Sequence, residues 1–85
     1  MVGPAFRIRA PQDARLTDYD RDHAVTYLRL LDAEEAGADW QEVARVVLGV
    51  DPRGEFERAQ VMHATHLARA KWVRDGGYKD LLRKI

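Results

Sequence analysis

The segment from residue 37 to residue 54, GADWQEVARVVLGVDPRG, constrains the fold more than any other part of the chain. Asp39, with Glu42 three residues later, resembles a capping box at the start of a helix. The apolar residues that follow recur at helical spacing on one face: Trp40, Val43, Ala44 and Val47. Gly49 ends this short helix, and Pro52 favours a turn after it. The segment therefore predicts the middle of a helix-turn-helix motif.

A longer helix is predicted before this segment. It begins near Thr17 or Asp18, which are both good N-caps, and Gly37 ends it. Its acidic first turn suits the positive end of the helix dipole. Four of its residues fall at helical spacing and predict one buried stripe: Ala24, Tyr27, Leu28 and Leu31.

A third and longest helix is predicted from about Glu55 to Asp75, ending at Gly76-Gly77. At 100° per residue, five of its residues share the sector that faces the core: Phe56, Ala59, His63, Leu67 and Ala70. His66 lies at the edge of this sector. After the glycines, a short final helix is predicted to fold back on the bundle through four residues: Tyr78, Leu81, Leu82 and Ile85.

These elements predict an all-α fold, a small bundle of three to four helices with a helix-turn-helix-like core. The length of 85 residues supports one modest core and therefore one domain. We assign it to residues 17–85, preceded by an extended arm over residues 1–16. In the arm, Phe6 and Ile8 alternate with arginines, and Pro4 and Pro11 interrupt regular structure.

The residue types present argue against an enzyme, a metalloprotein and a secreted or membrane protein. Cysteine and serine are both absent, which removes the common nucleophiles and thiolate metal ligands. His63 and His66 are too few ligands for zinc, and no phosphate-binding glycine motif occurs. No signal peptide or membrane span is recognisable. We expect a cytoplasmic protein without cofactor or metal.

The charged residues balance at zero over the chain but are distributed unevenly along it. Residues 1–16 carry +2, 17–37 carry −4, 38–54 carry −1 and 55–85 carry +3. A specific DNA-binding domain normally presents a clearly basic patch, because neutralising phosphates supplies much of the affinity. The acidic first helix makes strong DNA binding unexpected.

The third helix carries a second apolar face, opposite its predicted core face. A large aromatic among small apolar residues with arginine neighbours is typical of a protein interface. We therefore predict that this face binds a partner protein through six residues: Arg58, Val61, Thr65, Ala68, Arg69 and Trp72. The chain is expected to be a monomer when no partner is bound.

An alternative is a small DNA-binding transcriptional regulator that inserts the third helix into the major groove. Under this alternative the DNA contacts would come from the turn, the third helix and the basic C-terminal tail: Arg53, Arg58, Thr65, Arg69, Lys79, Arg83 and Lys84.

Two stretches resemble a known family. LTDYDRDHAVTYLRLLDAEEAGADWQEVARVVLGVDP, followed by HLARAKWVRDGGYKDLL, is similar to the small helix-turn-helix domain named after the RovC regulator. The resemblance spans residues 17–85, and its most specific pieces are GADWQEVARVVLG and WVRDGGYKDLL.

Members of this family occur in two settings, and this chain is similar to the second of them. Some are DNA-binding domains of transcriptional activators, and others are short stand-alone antiactivators encoded on integrative and conjugative elements. The stand-alone kind implies inhibition of a LuxR/TraR-type quorum-sensing regulator and of an FseA-type activator. These partners control excision and conjugative transfer of the element, and DNA binding is then expected to be weak or absent.

Overall fold

The computed structural model describes residues 5–79, which form four α-helices and a π-helical turn. The helices are α1 (Asp18–Asp22), α2 (Ala24–Glu35), α3 (Trp40–Val47) and α4 (Phe56–Trp72). The π-helical turn, Val73–Gly77, continues directly from α4. No strand occurs among the described residues. The predicted all-α bundle is therefore confirmed.

The capping residues set most of the helix boundaries. Thr17 caps α1 with a complete capping box, in which its hydroxyl accepts from the Asp20 N–H and its N–H donates to the Asp20 carboxylate. Asp39 caps α3 by accepting from Gln41 N–H at 3.3 Å. Gly37 and Gly49 adopt φ of 74° and 70°, which only glycine adopts without cost, and they end α2 and α3 as predicted.

The predicted first helix is interrupted, which the sequence pattern did not indicate. His23 lies between α1 and α2 with non-helical backbone angles, φ −112° and ψ 20°. Its ring Nδ1–H donates to the Tyr19 carbonyl at 2.8 Å. This side-chain bond to a helix carbonyl competes with a regular continuation of α1.

The core lies where α2, α3 and α4 meet. Its buried members are Leu30, Val43, Ala44, Leu48, Val50, Ala59 and Met62. Trp40, Val47 and Leu67 are partly buried against it, so the predicted inner face of α3 is confirmed. Phe6, from the arm, also packs on this cluster.

Several predicted core residues lie elsewhere. Leu28 is 61% exposed and Phe56 is 49% exposed, packing edge-on against Trp40 instead. Leu30 and Met62 take the central positions. The buried faces of α2 and α4 are rotated from the predicted ones, because periodicity alone does not show where neighbouring elements lie. Of the final helix predicted through Tyr78, Leu81, Leu82 and Ile85, only Tyr78 is among the described residues.

The arm over residues 5–16 has no helix or strand and is packed against α4. Ala10 and Pro11 are buried, and the Ala10 N–H donates to the Thr65 hydroxyl at 3.1 Å. The part of the arm that the structure describes is therefore one layer of the fold.

We expect Leu30→Ala to lower the free energy of unfolding by about 3 kcal/mol, because Leu30 is 1% exposed and truncation leaves a cavity. The matched change Leu28→Ala should cost less than about 0.5 kcal/mol. Urea denaturation followed by circular dichroism measures both values. Equal losses would contradict the assignment of Leu30, and not Leu28, to the core.

Candidate functional site

The helix-turn-helix-like part of the chain consists of α3, the turn over residues 48–55 and α4. Three arginines of this unit pair with a carboxylate two or three residues away in the chain: Arg45 with Glu42 at 2.6 Å, Arg53 with Asp51 at 3.2 Å, and Arg58 with Glu55 at 3.5 Å. All six side chains are substantially exposed. Such pairs contribute little to stability, but they offset the positive charge locally.

Residues 39–61 of this unit carry a negative net charge. Between Asp39 and Val61, five carboxylates stand against three arginines, which gives a net charge of −2. In a DNA-recognition unit, cationic side chains neutralise phosphates and release counterions. The unit has the order of elements of a recognition motif, but its part over residues 39–61 lacks the net positive charge of one.

Arg69, predicted to face outward, is buried, and that orientation prediction is wrong. The residue is 5% exposed, and its guanidinium contacts the Asp20 carboxylate, which is 2% exposed. Arg69 Nη2 and Nε donate to the two Asp20 oxygens at 2.7 Å and 3.0 Å. Burial of both charges gives a bidentate pair that is screened little by solvent.

The same guanidinium fixes the arm. Arg69 Nη1 donates to the Asp13 carbonyl at 2.7 Å, and Nη2 donates to the Arg15 carbonyl at 2.9 Å. One side chain therefore links α4, α1 and the arm. Arg69 and Thr65 act within the fold, where they hold the arm against α4.

The Asp20 carboxylate is ionised in the folded protein down to low pH. Burial alone would raise its pKa, but hydrogen bonds from Arg69 and from the Thr17 and Tyr27 groups outweigh burial and lower the pKa to about 2. The Tyr27 hydroxyl donates to Asp20 at 2.7 Å, and burial raises the pKa of that hydroxyl. The stabilisation from this group is present above about pH 4 and is lost as pH falls toward 2.

Beside the ion pair lies a buried aromatic and histidine cluster. His66 Nδ1–H donates to the Met62 carbonyl at 2.7 Å, so its Nε2 accepts from the Tyr19 hydroxyl at 2.6 Å. The Tyr19 hydroxyl in turn accepts from the Arg7 N–H at 3.0 Å. His66 was predicted at the edge of the core face and is completely buried. This chain of bonds forms a second attachment of the arm.

Trp72 lies between the arm and the end of α4, half-buried. The Arg69 guanidinium stacks on its ring at 3.9 Å, and a Cβ added at Gly77 would overlap the ring on another side. The ring borders two clefts of about 390 and 400 Å³. The first lies between the arm and α4, and the second is lined by Ala14, Arg15 and Lys79 among others.

The outward surface of α4 carries Glu57, Gln60, Ala64 and Ala68, with Val61 half-buried at its side. Of the six residues predicted to bind a partner, the structure brings four together at the cleft between the arm and α4: Thr65, Ala68, Arg69 and Trp72. Arg58 and Arg53 are exposed at the N-terminal end of α4. Lys79 lies at the other end of the domain, and Arg83 and Lys84 lie outside the described residues.

Two further properties of the described residues narrow the chemistry. Over residues 5–79, no group of three or more His, Cys, Asp or Glu is arranged to hold a metal ion. No helix in this range is long and apolar enough to cross a membrane.

Arg69→Met should lower the free energy of unfolding by about 3 to 5 kcal/mol, because it leaves the Asp20 carboxylate buried and unpaired. It should also free the arm, which amide hydrogen exchange of Ala10 would report. The control Arg58→Met removes an exposed pair and should cost less than about 1 kcal/mol. Retained protection of Ala10 in Arg69→Met would contradict the role of Arg69 in holding the arm.

Stability should fall as pH drops below about 6.5. Burial lowers the pKa of His66 below its ordinary value, so neutral His66 stabilises the fold above about pH 6.5 and this contribution is lost on acidification. One proton gives a slope of at most about 1.4 kcal/mol per pH unit. Urea denaturation at pH 7.5 and at pH 5.5 measures this change in the free energy of unfolding.

His66→Gln should flatten this dependence more than His63→Gln, because His63 is only half-buried although its pKa is also lowered by burial. An unchanged slope in His66→Gln would assign the pH dependence to another group.

Comparison with known proteins places these features in context. A family model described as "T6SS, Transcription factor, DNA binding domain", RovC_DNA-bd, matches residues 5–83. The match includes the arm from residue 5, which the sequence resemblance over residues 17–85 did not include. A search of curated proteins finds no match to the chain. The matched model describes a transcription factor domain and not an enzyme.

Proposed function

Because this chain belongs to the RovC DNA-binding domain family, we propose that it regulates transcription by binding an activator protein, as an antiactivator resembling QseM. Its partners would be a LuxR/TraR-type quorum-sensing regulator and an FseA-type activator that control excision and conjugative transfer of a mobile element. In this role the helix-turn-helix-like domain contacts protein.

The observation that carries this proposal is the charge of the helix-turn-helix-like surface. Over residues 39–61, the three arginines are each paired with a carboxylate. Two further carboxylates of this range, Asp39 and Glu57, are not among those pairs. Approach to a phosphate backbone would bring these carboxylates near like charge. A partner protein imposes no such penalty, and charged groups at the rim would then select the partner.

The cleft between the arm and α4 is the surface that best suits a protein. Ala68 is exposed beside the half-buried Trp72 ring, and Val61, seven residues before Ala68 on α4, is half-buried. A rigid aromatic flanked by small residues forms a pocket for a partner side chain. Thr65 and Arg69 shape this cleft from beneath by holding the arm, and Arg58 lies near the N-terminal end of α4.

The proposal is tested by titrating the full chain separately with a TraR-type activator and with promoter DNA at about 150 mM salt. We expect a saturable complex with the activator and only weak, salt-sensitive binding to DNA. Tight DNA binding without an activator complex would reject the antiactivator role.

Ala68→Glu should weaken activator binding at least about tenfold, because it places a charge in the cleft. Its free energy of unfolding should change by less than about 0.5 kcal/mol. The matched control is Ala38→Glu, at an exposed alanine that lines neither cleft. Equal weakening by both variants would place the activator elsewhere.

The family description also favours a second candidate, direct DNA binding by α4 and the turn. Arg53 would then contact DNA, together with Arg58, Lys79, Arg83 and Lys84. Arg53→Gln distinguishes the two candidates, because Arg53 lies outside the proposed protein surface. It should leave activator affinity unchanged, and a loss of DNA affinity with a smaller salt slope would support the DNA-binding role.

A further inference from the structure

A second surface, distinct from the cleft at Trp72, is an apolar groove of about 310 Å³. One wall is formed by α2 and the other by the end of α4 and the π-helical turn, and the groove shares no lining residue with either cleft at Trp72. The principal apolar side chains of the two walls are Ala24, Leu28 and Leu31, and Ala70, Val73 and Tyr78. Leu28 is 61% exposed and Tyr78 is 43% exposed, so the groove is open at its rim.

The lining argues against a small metabolite as the ligand. Most of the lining is apolar, and its buried polar groups, the Asp20 carboxylate and the Tyr27 hydroxyl, are bonded to each other, whereas small-molecule sites direct a few polar groups at the ligand. Its volume lies at the lower end of the range for such sites, roughly 300 to 1,000 Å³. A row of aliphatic side chains on one face of a helix fits this groove better than a small metabolite does.

The groove continues into an acidic depression. Leu28, Leu31 and Arg74 line both, and three carboxylates of α2 lie in the depression: Asp32, Glu34 and Glu35. The two cations there are paired, Lys71 with Glu34 at 2.8 Å and Arg74 with Asp75 at 2.8 Å. The depression is thus lined by three carboxylates against two cations, a net charge of −1, and Arg74 is also offset by Asp75 outside the lining.

We propose that this groove binds an amphipathic helix of a partner protein, with leucine-like residues on its apolar face and basic residues at one end. A second copy of this chain is the competing occupant, and the dependence of the shifts on protein concentration tests it below. The site is separate from the proposed activator surface on α4 and does not depend on it.

Two synthetic peptides of about 18 residues test the proposal with the full chain. Both carry leucines at i, i+3, i+4 and i+7, and the remaining positions are lysine in one and glutamate in the other. Titration followed by amide chemical shifts should show the lysine peptide binding at least about tenfold more tightly, with shifts at Leu28, Leu31 and Val73. Shifts centred on α3 or on the arm would overturn the proposal, as would equal affinity for both peptides.

Two variants test the groove and its charge separately. Leu28→Asp should weaken lysine-peptide binding at least about tenfold, whereas Val46→Asp, at an exposed valine of α3, should not. Asp32→Lys should reduce the preference for the lysine peptide by about threefold or more. An unchanged preference would overturn the proposed charge selection.

Two further results would show that another occupant fills the groove. If Leu28→Asp lowers the free energy of unfolding far more than Val46→Asp, the chain itself covers the groove. If the shifts of Leu28 and Val73 depend on protein concentration without peptide, a second copy occupies it. Either result overturns the proposal, and neither bears on activator binding at Ala68 and Trp72.

Discussion

The buried ion pair between Asp20 and Arg69 is the interaction on which the rest of the domain depends. Burying a charge is expensive unless it is paired and fully hydrogen-bonded, and the Arg69 guanidinium meets this requirement with both carboxylate oxygens and two arm carbonyls. The bonds from Arg69 to the Asp13 and Arg15 carbonyls form only when the arm lies against α4. The pair therefore fixes the arm, and the arm forms one wall of the cleft between the arm and α4.

The domain separates the shape of a helix-turn-helix from the electrostatics that normally accompany it. The buried residues of α3 and α4 specify the shape, whereas exposed residues specify the charge. Carboxylates at Glu42, Asp51 and Glu55 offset the neighbouring arginines without disturbing the core. A fold of this kind can change its partner class from nucleic acid to protein by surface substitution alone.

Local signals in the sequence predicted the helix boundaries at Gly37, Gly49 and Asp39, because caps and left-handed glycines act within a few residues. They did not predict the buried face of α4. That face depends on Asp20, 49 residues away from Arg69, and on arm carbonyls 54 and 56 residues away. A single sequence carries no periodic signal for such pairs, so the arginine was assigned to the surface, where arginines are usually found.

On α2 the error is the reverse: a residue of the predicted buried stripe is exposed. Tyr27 is buried as periodicity indicates, whereas Leu28 borders an open groove. Periodicity shows that a face is apolar but not which element covers it. Exposed leucines are common singly, but here Leu28, Val73 and Tyr78 adjoin in one groove, and contiguous apolar surface is typical of binding sites. The groove shares no lining residue with either cleft at Trp72, so a substitution can alter one of these surfaces without changing the lining of the other.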